Sequence, residues 1–179
     1  MMYRRLIVSA RGFSQDLGEQ SGVDLLDNAV HSEFACPGTR VPYAHDWHTR
    51  PNQLFNWLSA NLESEARIDF FGFSNGGGVF FPRFQRLLLK YQWRLNTVLL
   101  IDPVNSGGRL NPRRWFGGGQ TKVVNADRVV VYTQNVDHPR SAGVTWKGGV
   151  IEYVAVNVPH GSMDNNPMVR NHVMEALRE

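Results

Sequence analysis

Apolar residues fall along this chain in two alternating kinds of run. Unbroken stretches rich in β-branched, aliphatic and aromatic residues occupy 6–10, 68–72, 97–101, 128–133 and 150–158, each the length of a buried strand. Between them lie stretches whose apolar residues recur every three or four positions. Residues 52–62 put Leu54, Trp57, Leu58 and Leu62 on one helical face, with Thr49 and Pro51 ahead of them as start signals. Residues 76–91 put Phe80, Phe84, Leu87, Leu88 and Tyr91 at helical spacing. Pro82 has no N–H to donate and must bend that helix or delay its start. The chain ends in a helix with Val169, Val173, Ala176 and Leu177 on one stripe. A short helix is expected around 23–30 inside an otherwise loop-like stretch from 13 to 34, and 39–43 is a candidate strand. Residues 105–127, rich in Gly, Asn and Arg, read as a long loop. Strands alternating with helices predict an α/β fold: a mainly parallel central sheet flanked by helices. No repeat or linker divides the chain, so one domain over 1–179 is expected.

Composition narrows the partners. A formal charge of +3 is too small an excess to argue for nucleic acid, although the sequence pI is about 9.3. Arg109, Arg113, Arg114 and Lys122 read as a solvated loop rather than a binding patch. The one cysteine, Cys36, permits no intramolecular disulfide, fits a reducing compartment, and reads as a buried or loop thiol. The apolar run at 6–10 is too short for a signal-peptide core, and no stretch approaches the roughly 20 apolar residues of a membrane span. A cytoplasmic protein without integral membrane association is expected.

Candidate chemistry centres on Gly72-Phe73-Ser74-Asn75-Gly76, directly after an apolar strand and before a helical run. In that context Gly-x-Ser-x-Gly is a nucleophile elbow. The serine sits on a tight strand-to-helix turn, and glycines two residues before and after it remove side chains that would collide. Its Oγ projects from the carboxyl edge of the sheet, and the amide of Asn75 lies at a helix N-terminus, able to stabilise an oxyanion. The stretch lacks the Gly-Lys-Ser/Thr of a phosphate loop and does not fit the dinucleotide fingerprint.

Such a serine needs a base and an acid, which follow it in the chain in the order acid, then histidine, each at a strand end. Of the six histidines, His138, His160 and His172 follow the serine. His160 is best placed, after the run at 150–158 and before the last helix. His138 comes too early, and His172 falls inside the helix on its exposed side. Asp102, ending the run at 97–101, is the favoured acid, and Asp137, beyond the next strand, is the alternative. Asp164 reads as a cap for the last helix. His45-Asp46-Trp47-His48 has no recognised metal-ligand spacing and reads as a rim or surface loop.

The chain resembles the α/β-hydrolase superfamily, and within it the compact lipases and esterases. Arg11-Gly12-Phe13 resembles their His-Gly-Phe oxyanion segment, with Arg11 in place of the histidine. Gly72 to Gly77 is similar to their Gly-His-Ser-x-Gly-Gly elbow, with Phe73 before the serine. Ile101-Asp102-Pro103 resembles the segment that carries the acid, and His160-Gly161-Ser162-Met163-Asp164 the one that carries the base. The resemblance spans residues 6 to 178. It implies Ser74 as nucleophile, His160 as base, Asp102 as acid, and the amides of Phe13 and Asn75 as oxyanion hole. It also implies a carboxylic ester hydrolase of the minimal fold, without a large lid domain, metal or organic cofactor, acting on a small-molecule or lipid-like acyl ester. Trp47, Trp115, Phe116 and the 105–127 loop are candidates to line its substrate pocket.

Overall fold

The computed structural model describes residues 2–13, 21–105, 120–137 and 141–179, without the side chains of 53–55. In chain order the elements are β1 (Tyr3–Ala10), α1 (Gly22–Phe34), β2 (Thr39–Arg40), α2 (Asn52–Asn61), β3 (Leu62–Phe73), a π-helical turn (Gly76–Phe80), α3 (Phe81–Lys90) and β4 (Leu95–Ile101). Then come β5 (Gln120–Val123), β6 (Ala126–Thr133), β7 (Gly143–Trp146), β8 (Glu152–Ala155), a 3-10 turn (His160–Ser162) and α4 (Pro167–Arg178). Six strands form one sheet in the order β2-β1-β3-β4-β6-β8, parallel at every pairing.

The unbroken apolar runs follow from burial on both faces of this sheet. Leu6, Val8, Phe70, Val98, Leu100, Val129 and Val131 point to one side, where they pack with Leu58 of α2 and Phe81, Phe84 and Leu88 of α3. Their neighbours Ile7, Phe71, Leu99, Ile101, Val130 and Tyr132 point to the other, against Val23, Leu26 and Val30 of α1 and Val169 and Val173 of α4. Period-2 alternation within each strand therefore builds two cores, one under each helical layer.

Several elements depart from the sequence expectation. Helix α1 runs over the whole of Gly22–Phe34: Ser21 and Asp24 form a reciprocal capping box that fixes its start, and the helix continues one turn beyond residue 30. The candidate strand at 39–43 pairs only over Thr39–Arg40, and β3 begins at Leu62 rather than at 68. The helix expected at 76–91 opens as a π turn, with the Phe81 N–H bonding to Gly76 O. Regular α-helix starts only at Phe81, with Pro82 in its first turn, where a missing N–H costs nothing.

The supposed loop at 105–127 contains β5, which pairs with β7 in a separate two-stranded parallel sheet. Buried Gln85 of α3 holds β5 in place: its Nε2 donates to Lys122 O at 2.9 Å and its Oε1 accepts from Val124 N at 2.7 Å. The run at 150–158 is strand only over Glu152–Ala155, an edge strand paired on one side with β6. No helix among the described residues is long and apolar enough to cross a membrane.

Candidate active site

The carboxyl ends of β3 and β4 lie side by side, with Phe73 in register with Ile101. The next residue on each strand turns out of the sheet in left-handed backbone, Ser74 at φ 51° and Asp102 at φ 41°. For a residue with a Cβ this conformation costs on the order of 1–3 kcal/mol and persists only where the surroundings hold it. Here the sheet ladder continues past both strand ends. The Ser74 N–H donates to Ile101 O at 3.0 Å, and the Asp102 N–H donates to Tyr132 O at 2.8 Å. The Ser74 carbonyl accepts from both Gly78 N and Val104 N at 2.9 Å. The turn after Ser74 is packed so closely that a Cβ at Gly76 would lie 2.2 Å from the carbonyl oxygen of Ala10.

His160 enters from the loop between β8 and α4, at the start of the 3-10 turn. Its ring lies between the other two side chains: Nε2 is 3.0 Å from Ser74 Oγ, and Nδ1 is 2.5 Å from Asp102 Oδ2. A carboxylate only accepts, so the Nδ1 proton is donated to Asp102 and Nε2 is left to accept from the serine hydroxyl. The ring stacks on Phe73 with centroids 4.8 Å apart, which sets its plane. Asp102 is fully buried, and its other oxygen, Oδ1, accepts from the Ser141 hydroxyl.

Asp137 is also near His160, but on its backbone. Its Oδ1 accepts the His160 N–H at 2.7 Å, and its own N–H donates to Gln134 Oε1 at 3.0 Å. The two aspartates that the sequence left as alternatives therefore touch the same residue in different ways.

The two candidate oxyanion residues flank Ser74. Asn75 follows it directly and is 5% exposed, its side-chain Oδ1 buried without a hydrogen-bond partner among the described residues. On the other side the segment after β1 leans on the serine: a Cβ at Gly12 would lie 2.9 Å from Ser74 Cβ. Phe13 next to it is 56% exposed, and its ring lies 5.9 Å from that of Trp47.

Arg11 braces this segment. Its Nε donates to Asp24 Oδ1 at 2.7 Å and its Nη1 to Asp46 Oδ1 at 2.9 Å. Burial works against the guanidinium charge, yet hydrogen bonds and charges from Asp24 and Asp46 outweigh it and raise its affinity for the proton. Beyond it, His45 is half-buried and stacked on Phe80 of the core, with ring centroids 5.5 Å apart. Burial lowers its imidazole below the ordinary 6.5, against the opposing pull of Asp46.

The remaining candidates lie elsewhere. His172 is half-buried on α4, 3.4 Å from Glu152 and edge-on to Tyr132. Asp164 does not cap α4, whose N-cap is Asn166; instead its Oδ2 accepts the Val23 N–H at 3.1 Å, at the start of α1. Cys36 is exposed, within hydrogen-bonding reach of the Thr39 hydroxyl. Lys122 lies on β5. His138, Arg109, Arg113, Arg114, Trp115 and Phe116 lie outside the described residues. Ser141 and Arg11 are the site residues that sequence reasoning gave no role. Ser141 is 39 positions from its partner Asp102, and nothing local signals that contact.

No protein-family model and no curated protein matches the chain. Among solved structures it is similar to the type II thioesterase BorB from the borrelidin biosynthetic cluster, with a TM-score of 0.55 over 97% of this chain and 93% of that one. The fold is of the α/β-hydrolase type. At 12% identity the likeness concerns the fold alone.

Proposed function

We propose that this protein is a serine hydrolase that cleaves a carboxylic ester through an acyl-enzyme on Ser74. The observation that carries the reading is the hydrogen-bonded line from Ser74 Oγ through the His160 ring to buried Asp102, at the carboxyl edge of a parallel sheet. On this reading His160 Nε2 takes the serine proton as Oγ attacks the ester carbonyl. Asp102 keeps the proton on Nδ1 and stabilises the imidazolium that forms. The amides of Phe13 and Asn75 hold the developing oxyanion, a contribution of about 10²–10³ in kcat per donor in comparable sites. The imidazolium protonates the departing alcohol. His160 then takes a proton from water, which attacks the acyl-enzyme and releases the acid and free Ser74. The substrate is a small-molecule or lipid-like acyl ester, and the whole chain acts as one domain.

A thioester is the second reading, because the similarly folded protein is a type II thioesterase and the same steps cleave either bond. Pre-steady-state hydrolysis of 4-nitrophenyl butyrate, beside an acyl thioester of the same acid, tests both. The expected result is a burst of one product equivalent per enzyme, absent in Ser74→Ala. The larger kcat/KM identifies the substrate class, and unchanged turnover in Ser74→Ala contradicts the proposal.

A further inference from the structure

We infer that Arg11 is a positioning residue that clips the Gly12–Phe13 segment to the segment carrying Asp46 and Trp47, and so holds Gly12 and Phe13 in place beside Ser74. The inference rests on Ser74 being the nucleophile. Three contacts converge on this one residue. Its backbone N–H donates to His45 O at 2.8 Å, which ties the end of β1 to the neighbouring segment. Its guanidinium spans two carboxylates from different elements, Asp24 in the first turn of α1 and Asp46 beside Trp47. Asp24 is itself fixed, its Oδ2 accepting from Ser21 N at 3.0 Å and from Ser21 Oγ at 2.8 Å. Beyond Arg11 the same two segments meet again through the Phe13 and Trp47 rings.

Arg11 touches none of the reacting atoms. Its effect passes through Gly12, packed on the Ser74 side chain, to the amide and ring of Phe13. A planar guanidinium satisfies carboxylates along two edges at once, which a lysine ammonium on a flexible stem does not reproduce. Misplacement of a catalytic group by about 1 Å can cost on the order of 10²-fold in rate. The wall held in this way is aromatic and half open to solvent at Phe13, so the substrate group lying against it is apolar.

The test compares wild type, Arg11→Met, Arg11→Lys and Asp46→Asn with 4-nitrophenyl acetate and 4-nitrophenyl hexanoate. Active sites are first counted by titration to completion with a fluorophosphonate, so that unfolded protein does not enter kcat. Arg11→Met is expected to lower kcat per titrated site by about tenfold or more, with a larger loss in kcat/KM for the hexanoate. Arg11→Lys is expected to recover part of that loss. Asp46→Asn, which keeps the Asp24 pairing, covers the case in which Arg11→Met does not fold and is expected to shift in the same direction. Wild-type kcat per titrated site in Arg11→Met or in Asp46→Asn overturns the inference alone. A wild-type protein that is not labelled at Ser74 overturns both the inference and the reading it rests on.

Discussion

Asp137 holds His160 by its backbone, its Oδ1 2.7 Å from the amide nitrogen, while Asp102 holds the ring at Nδ1. On the proposed mechanism only the second contact selects the tautomer. Asp102→Asn is therefore expected to lower kcat on the order of 10⁴-fold, the loss seen when the equivalent contact is removed in the chymotrypsin-type triad. Asp137→Ala removes one charge-assisted hydrogen bond from the loop and is expected to cost about tenfold or less. Steady-state kinetics of the two variants decide between the acids. A larger loss in Asp137→Ala reverses the assignment.

Ser141 supplies the second hydrogen bond to a carboxylate that has no access to solvent. Removing the donor leaves a buried charged acceptor short of a partner, at a cost of about 1.5–3 kcal/mol. Ser141→Ala is expected to unfold at a lower temperature and to turn over more slowly, while Ser141→Thr, which keeps the hydroxyl, stays nearer wild type. Thermal unfolding and kcat measured on the same preparations check this.

His45 makes stability depend on pH. Its imidazole is held below the ordinary 6.5 by burial against Phe80, so the folded protein keeps it neutral where the unfolded chain has begun to protonate it. Between 6.5 and the lowered value the unfolded state binds more protons, and stability rises with pH. The contribution is complete above 6.5 and is lost on acidification through that window. His45→Phe keeps an aromatic ring on Phe80 and removes this component. Its unfolding free energy is expected to fall less steeply than wild type when urea titrations are repeated on the acid side of neutrality.

Tyr132 is buried with its hydroxyl unpaired among the described residues, and burial pushes the phenol well above its ordinary 10. Tyr132→Phe keeps the ring and removes an unsatisfied polar atom. The variant is expected to be at least as stable as wild type, gaining up to about 1 kcal/mol. A clear fall in its unfolding midpoint would mean that the hydroxyl has a partner.

The fold is legible where burial is two-sided. β1, β4 and β6 sit within the sheet with apolar side chains on both faces, and each carries an unbroken apolar run, at 6–8, 98–101 and 129–132. β3 begins at Leu62 with an exposed polar stretch, Glu63-Ser64-Glu65, that carries no such signal. β5 and β7 are four residues each, too short to show alternation against a Gly-rich background. The start of α1 was written in Ser21 and Asp24, a local cap signal stronger than the loop-like composition around it, whereas its last turn, 31–34, carries no such signal.

The candidate site divides in the same way. Gly72, Ser74 and Gly76 declare a tight turn locally, and chain order singles out His160. Order alone admits both Asp102 and Asp137, because both follow strands; they differ in whether they reach the ring or the backbone, which depends on how the loop from β8 folds back. The contacts of Ser141 with Asp102 and of Arg11 with Asp46 join positions far apart in the chain, where no spacing signals them.

The central claim is that Ser74 is an activated nucleophile. Treating the purified protein with a fluorophosphonate and locating the adduct by peptide mass spectrometry tests it most directly. The account predicts one label, on Ser74, lost in Ser74→Ala and much slowed in His160→Ala. A folded wild-type protein that takes up no label, or takes it up on another residue, would contradict it.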